Sequence, residues 1–252
     1  DTILAYRHFI DQLPIEQAKK CYLVLHTDRV FDHGTDLEAV IELLLTGDQY
    51  NVIFTDAKFD PYNMSLLYNS TDAQILLTSN EGWGLSLTEA ILCGNPIIAN
   101  VTGGMQDQMR FEDENGEWIK FTEEFGSNHF GKYKKHGEWA YPVFPSNHSL
   151  VGSIPTPYIF DDRAEPQDIA DQIKASWTTK TTLPHEYEKE CKAAREWVTS
   201  DESMMSATNM CKNVIDGIDE TFAKWQPRHR FELIQIETPK QPKHFVKHVI
   251  AK

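Results

Sequence analysis

The chain has 252 residues, 40% of them hydrophobic and 25% charged, the balance of a folded domain that lives in water. Asp and Glu outnumber Lys and Arg by 38 to 24, and the formal charge of −14 repels phosphate backbones and anionic lipid, which argues against a general nucleic-acid or membrane-surface role. No apolar run approaches the roughly 20 residues that span a bilayer, so no transmembrane segment is expected, and Asp1-Thr2-Ile3-Leu4 lacks the parts of a signal peptide.

Residues 1–7 read as helix, and Tyr22-Leu23-Val24-Leu25-His26 predicts a strand. Leu37, Val40, Ile41, Leu44 and Leu45 then recur at helical spacing across 36–45. Val52-Ile53-Phe54 predicts a second strand, and 61–69 a short helix with Pro61 in its first turn. Ile75-Leu76-Leu77 follows as a strand, 85–92 as a helix that stops at Gly94, and Pro96-Ile97-Ile98-Ala99 as a fourth strand. This alternation predicts an α/β fold, a Rossmann-like parallel sheet with helices on both faces.

Across 111–153 the rhythm breaks. Gly116, Gly126, Gly131, Gly137, Pro142, Pro145 and Gly152 space out Trp118, Phe130, Tyr133, Trp139 and Tyr141, which reads as an irregular insertion packed down by its aromatics. Tyr158-Ile159-Phe160 resumes as a strand, followed by helices over 165–177, 184–198 and 203–224. On the last of these, Met204, Met205, Met210, Val214, Ile215 and Ile218 form a stripe that reads as core packing. Residues 1–226 are read as one domain, with 227–252 a separate segment: 231–236 alternates like a strand, and 240–252 is basic. His244 and His248 stand four apart without a third ligand, so they read as a solvated face and no metal site is expected.

Cys21, Cys93, Cys191 and Cys211 form no Cys-x-x-Cys pair and no zinc spacing, the usage of a cytoplasmic protein with reduced thiols. Four Asn-x-Ser/Thr triplets begin at Asn63, Asn69, Asn100 and Asn147. Asn100 closes an apolar strand where no glycan fits, so the triplets are read as coincidence.

Chemistry concentrates between Thr78 and Gly104. A strand ends near Thr78, a loop bracketed by Gly82 and Gly84 follows, and a helix starts about Leu85. The glycines let backbone approach a ligand, and the unpaired first-turn amides face an anion at the carboxyl edge of the sheet. Glu81 lies in the loop and Glu89 about one turn into the helix; ionised, each can accept two hydroxyl hydrogen bonds. Alone, two glutamates eight apart read as a cap and a solvated face. Their setting reverses that reading.

The string Glu81-Gly82-Trp83-Gly84-Leu85 through Glu89-Ala90, then Cys93-Gly94-Asn95-Pro96, Ala99 and Gly103-Gly104, resembles the signature of the group 1 (family 4) glycosyltransferases. The similarity covers the first 110 residues well, including Leu66-Leu67-Tyr68-Asn69-Ser70, and 155–177 loosely. That family has two Rossmann-like domains facing across a cleft, the GT-B fold, and the signature belongs to the C-terminal, donor-binding half. The resemblance implies a retaining, metal-independent transfer from a nucleotide-diphosphate sugar, a donor substrate and not a cofactor; no cofactor is expected. By it Glu89 would hold the ribose hydroxyls and Glu81 a hydroxyl of the donor sugar. The amides of Trp83, Gly84, Leu85 and Ser86 would meet the sugar or diphosphate, and Thr102, Gly103 and Gly104 would line the sugar side. Lys58 and Phe59 would lie near the base, and His26 ends a strand at the same rim, where an exposed loop and a structural histidine are the plain alternatives. The chain contains no Asp-x-Asp motif, in keeping with a metal-free site.

Two features depart from the pattern. Relatives place an Arg and a Lys on the domain's first strand and the loop after it, and this chain has no counterpart for them. The acceptor domain is also missing. The chain therefore reads as the donor half of a larger enzyme, with an acceptor (glycan, lipid or protein) that the sequence does not identify. A degenerate, non-catalytic module that binds nucleotide sugar or glycan is the alternative. A related phosphorylase or epimerase fits less well, for want of a pyridoxal-binding lysine motif and because of the Gly-Trp-Gly-Leu loop. The 111–153 stretch, directly after Gly103-Gly104, is a candidate flap over the acceptor.

Overall fold

The computed structural model describes residues 1–32, 34–119, 132–152, 154 and 159–226. The chain divides into two units, Asp1–Met210 and Cys211–Lys252. The first opens with α1 (Thr2–Asp11) and the short α2 (Ile15–Ala18). Strands β1 (Tyr22–Leu25), β2 (Asn51–Phe54), β3 (Gln74–Leu76) and β4 (Ile97–Asn100) then alternate with α3 (Leu37–Leu44), α4 (Pro61–Asn69) and α5 (Leu85–Leu92). A 3-10 helix over Gly103–Met109 leads toward β5 (Ala140–Val143), the hairpin β6 (Asn147–Val151) and β7 (Ile159–Arg163), then α6 (Pro166–Thr182) and α7 (Pro184–Val198). β1 pairs with β2 in parallel, β3-β4-β5 form a second parallel sheet, and β6-β7 are antiparallel.

Side-chain alternation explains why helices cover both faces. β4 is buried throughout: Ile97 and Ala99 enter one core with Leu87, Ala90 and Ile91 of α5 and Trp197 of α7, whereas Ile98 enters a second core with Ala5, Phe9 and Ile10 of α1 and Ile169 of α6. β3 repeats the pattern, with Leu76 on the first face and Ile75 and Leu77 on the second. Leu23 and Leu25 of β1 and Val52 of β2 also pack into the second core. β1-β2 and β3-β4-β5 therefore share that core without hydrogen bonds between β1 and β3.

Local chemistry sets the helix starts. Asp36 caps α3 by accepting from the Ala39 amide at 3.0 Å, and Asp60 caps α4 by accepting from the Asn63 amide at 2.8 Å, with Pro61 behind it. α5 is different. Its N-cap is Gly84, at φ 80°, which has no side chain to offer.

Three expectations are corrected. The 111–153 stretch is not wholly irregular, because Ala140–Val143 is a buried strand of the parallel sheet, Ala140 opposite Ile97 and Pro142 opposite Ala99. Pro142 fits because β5 is an edge strand, where one missing amide breaks no ladder beyond it. α6 runs to Thr182, five residues past the expected end. α8 (Ala207–Lys224), which runs into the second unit, buries no residue, and Met210, Val214, Ile215 and Ile218 are each at least 50% exposed. Amphipathic spacing specifies a helix with an apolar face, not the surface that would cover it. The expected strand at 231–236, the basic tail with His244 and His248, and Gly126, Phe130, Gly131 and Tyr158 lie outside the described residues. Among the described residues no helix is long and apolar enough to cross a membrane.

Candidate functional site

The site assembles where two loops at the carboxyl ends of β3 and β4 lock together. Gly103, at φ 49°, lies so close to the first loop that a Cβ there would stand 2.0 Å from the Glu81 carbonyl oxygen. A Cβ on Gly104 would come within 2.2 Å of the Gly82 carbonyl oxygen and 3.0 Å of the Trp83 ring. Glycine is required at both positions by backbone contact. Gly82 is the opposite case: it is exposed, and a Cβ there would meet nothing within 4 Å.

A buried clasp holds the second half of the loop. Gln108, fully buried, donates through Nε2 to the carbonyls of Trp83 and Gly84, the latter at 3.2 Å, and its Oε1 accepts from the Thr88 hydroxyl at 2.8 Å. Thr88 in turn accepts from the Trp83 indole at 2.9 Å, and the Trp139 indole donates to the Gln108 carbonyl at 3.1 Å. With its loop carbonyls fixed from below and no side-chain cap, α5 presents first-turn amides to solvent and whatever anion enters. The dipole adds about half a positive charge there.

Glu81 is half-buried, and its Oε1 accepts weakly from the Trp83 amide at 3.4 Å. Glu89 is exposed on α5, and its Oε2 accepts from the Tyr68 hydroxyl at 2.8 Å, which leaves Oε1 toward solvent. Tyr68 is buried, and burial above all, then the hydrogen bond and charge of Glu89, hold its phenol above the ordinary range, so it remains a donor at any working pH. Asn95 anchors Tyr68 from behind, donating to its carbonyl at 2.6 Å. Leu85 is exposed, Ser86 half-buried, and Thr102 buried with its hydroxyl donated to Asp162 at 2.8 Å, so only its backbone faces the loop.

The other expected residues form a second group. His26, at the end of β1, hydrogen-bonds Thr55 through Nδ1 at 2.8 Å and stacks on Phe59 with 5.0 Å between centroids. Lys58 beside them is exposed. No described hydrogen bond, ion pair or ring contact joins this group to Glu81 or Glu89, and among the described residues none places a Lys or Arg on the 81–86 loop. Among those residues, too, no group of three or more His, Cys, Asp or Glu is placed to hold a metal ion.

Sequence reasoning missed three supports. Tyr68 was legible only as part of a matching string. Gln108 is one buried amide in an irregular stretch. The pair His148 and Asp162 is joined only by the register of the hairpin, across 14 positions.

The carboxyl edge of a parallel α/β sheet, with an uncapped helix and a glycine-locked loop, is where open sheets of this class bind their ligands. Residues 33–126, the segment that holds Glu81 through Gly104, match the family model described as Glycosyl transferases group 1. Solved structures agree on the fold. Anabaena HepE in complex with UDP and glucose aligns with a TM-score of 0.52 at 14% identity, over 86% of this chain and 44% of that one, and its UDP complex gives the same values. Sucrose-phosphate synthase from Thermosynechococcus elongatus aligns at TM-score 0.48 and 17% identity, over 88% of this chain and 43% of that one. The chain thus spans less than half the length of these relatives. No curated protein sequence matches it.

Proposed function

We propose that this chain is the donor-binding half of a retaining, metal-independent glycosyltransferase acting in the cytoplasm. One observation carries the reading: the uncapped start of α5 follows a loop in which Gly82 is open and the Gly103 backbone packs on the Glu81 carbonyl, with Glu81 in that loop and Glu89 one turn into the helix. The amides of Trp83, Gly84, Leu85 and Ser86 take the diphosphate. Glu89, preset by Tyr68, takes the ribose hydroxyls, and Glu81 takes a hydroxyl of the sugar that is transferred. The backbone of Thr102, Gly103 and Gly104 lines the sugar side, and the stack of Phe59 on His26, with Lys58 beside it, offers a flat surface for the base. Four free thiols fit a reducing compartment.

In the transfer, the bond between the anomeric carbon and the diphosphate oxygen breaks with its electrons leaving on the diphosphate. The acceptor hydroxyl attacks from the same face, and its proton passes to the departing phosphate. Charge growing on that phosphate is met by the α5 amides. The acceptor is held by a second domain, in keeping with the fraction of its relatives that this chain covers. A sheet in two parts sharing one core fits the same reading, since doubly-wound sheets of strand order 3-2-1-4-5-6 keep a strand between those parts.

A non-catalytic module is the second reading, favoured by the lack of any cation on the 81–86 loop among the described residues. Half a dipole charge beside two carboxylates is a modest trap for a diphosphate, so the chain on its own binds weakly. Calorimetric titration with UDP-, GDP- and ADP-glucose tests both readings. Millimolar or tighter binding of one of them supports the site, and turnover in the full-length protein separates enzyme from module. No binding of any donor, with Glu89→Ala changing nothing in the full-length protein, overturns both.

A further inference from the structure

The hairpin β6-β7 is stapled to the two loops that build the sugar side of the site. The Asp162 amide donates to the Ser79 carbonyl at 2.8 Å, and Asn80 donates to the Phe160 carbonyl at 3.2 Å, so both contacts land directly before Glu81. From the other loop, Asn100 donates to the carbonyls of Asp162 at 2.7 Å and Thr78 at 3.1 Å, and Thr102 donates to the Asp162 carboxylate, directly before Gly103. None of these contacts reaches the Glu89 end.

Asp162 is 1% exposed, and a carboxylate buried that deeply needs donors on its oxygens. Thr102 supplies Oδ2, and His148, its cross-strand partner, supplies Oδ1 through Nδ1. Facing a carboxylate, Nδ1 carries the proton of the neutral ring, which leaves Nε2 as a bare acceptor. The His148 side chain is 42% exposed, so the ring is within reach of solvent. The ring lies 4.3 Å from the exposed Phe160 ring, nearly parallel at 13°. An acceptor lone pair on a ring held in place by that stack suits a sugar, which offers hydroxyl donors. It does not suit a phosphate, which offers only acceptors.

We infer that His148 is a donor-sugar binding residue, its Nε2 accepting a hydrogen bond from a hydroxyl of the transferred sugar, with Asp162 as the positioning residue that fixes the tautomer. The inference rests on the donor site proposed above. It is tested by calorimetry on the full chain with the best-bound of UDP-, GDP- and ADP-glucose and with the matching sugar-free diphosphate. His148→Phe keeps the stack on Phe160 and removes the acceptor; His148→Gln removes the stack and keeps an acceptor.

The expected result for His148→Phe is unchanged diphosphate affinity and about five- to tenfold weaker binding of the sugar nucleotide, the loss of one hydrogen bond. His148→Gln should recover most of that loss. Equal weakening of both ligands in His148→Phe would mean a structural role, and wild-type affinity for both would mean no contact; either overturns the inference. Failure of the unmutated chain to bind any of the ligands removes the donor reading first, and this inference with it.

Discussion

Gly103 carries the sharpest prediction. Alanine at that position must hold φ near 49°, in the left-handed region, at a cost of about 1–2 kcal/mol. Its Cβ would also start 2.0 Å from the Glu81 carbonyl oxygen, which is backbone and has no rotamer to escape through. The two loops must separate by about 1 Å or more, and a total cost of about 3 kcal/mol follows from strain plus lost packing. For a domain of this size that is a melting point lower by roughly 6–12 °C. A shift of about 1 Å in Glu81 is also enough to weaken donor binding by one to two orders of magnitude. Gly82→Ala is the internal control: its Cβ meets no protein atom, so the melting point should hold, yet a ligand pressed against Gly82 would lose tenfold or more in affinity. Thermal melts and donor titrations on both variants read this out. If Gly103→Ala melts and binds like the unmutated chain, the locked-loop geometry is wrong; if Gly82→Ala binds donor at full strength, no ligand sits over that glycine.

Tyr68→Phe removes the donor that presets Glu89 and should weaken sugar-nucleotide binding about two- to tenfold, while Glu89→Ala weakens it further; equal affinity in calorimetry for all three proteins would detach Glu89 from the site. Glu112 is buried between Arg110 and Lys135; burial alone would raise its pKa, but those two cations outweigh it and hold it below the ordinary carboxylate value. Its stabilisation is therefore complete above about pH 4.3 and lost as the pH falls through the lower folded value, so Glu112→Gln should melt less steeply with acid than the unmutated chain. Trp197, 6% exposed, stacks on Trp139 at 4.9 Å, and Trp197→Ala should cost about 3–5 kcal/mol by chemical denaturation; a loss below 1 kcal/mol would contradict the described core.

What could be read from the residues alone follows from how local each signal is. Asp60 before Pro61 and Asp36 before an apolar repeat mark helix starts within four residues, and both helices begin there. The Gly82-Trp83-Gly84 loop was legible as the turn between a strand and a helix because strand, glycines and helix are contiguous. β5 was not, since Pro142 and the aromatics around it mask a short strand whose identity depends on pairing with β4. His148 and Asp162 lay beyond reach for the same reason: antiparallel register brings them together, and no spacing rule links positions 14 apart. The α8 stripe failed in the other direction, with a strong local pattern and no buried face.

The account turns on where an activated sugar sits. Amide chemical shifts of the isotope-labelled protein, followed while UDP-, GDP- or ADP-glucose is added, test this most directly. The prediction is that the largest shifts fall on Gly82, Gly84, Leu85, Ser86 and Gly103, with Glu89 close behind. Saturable shifts confined to other parts of the fold, with those amides unmoved, would contradict it.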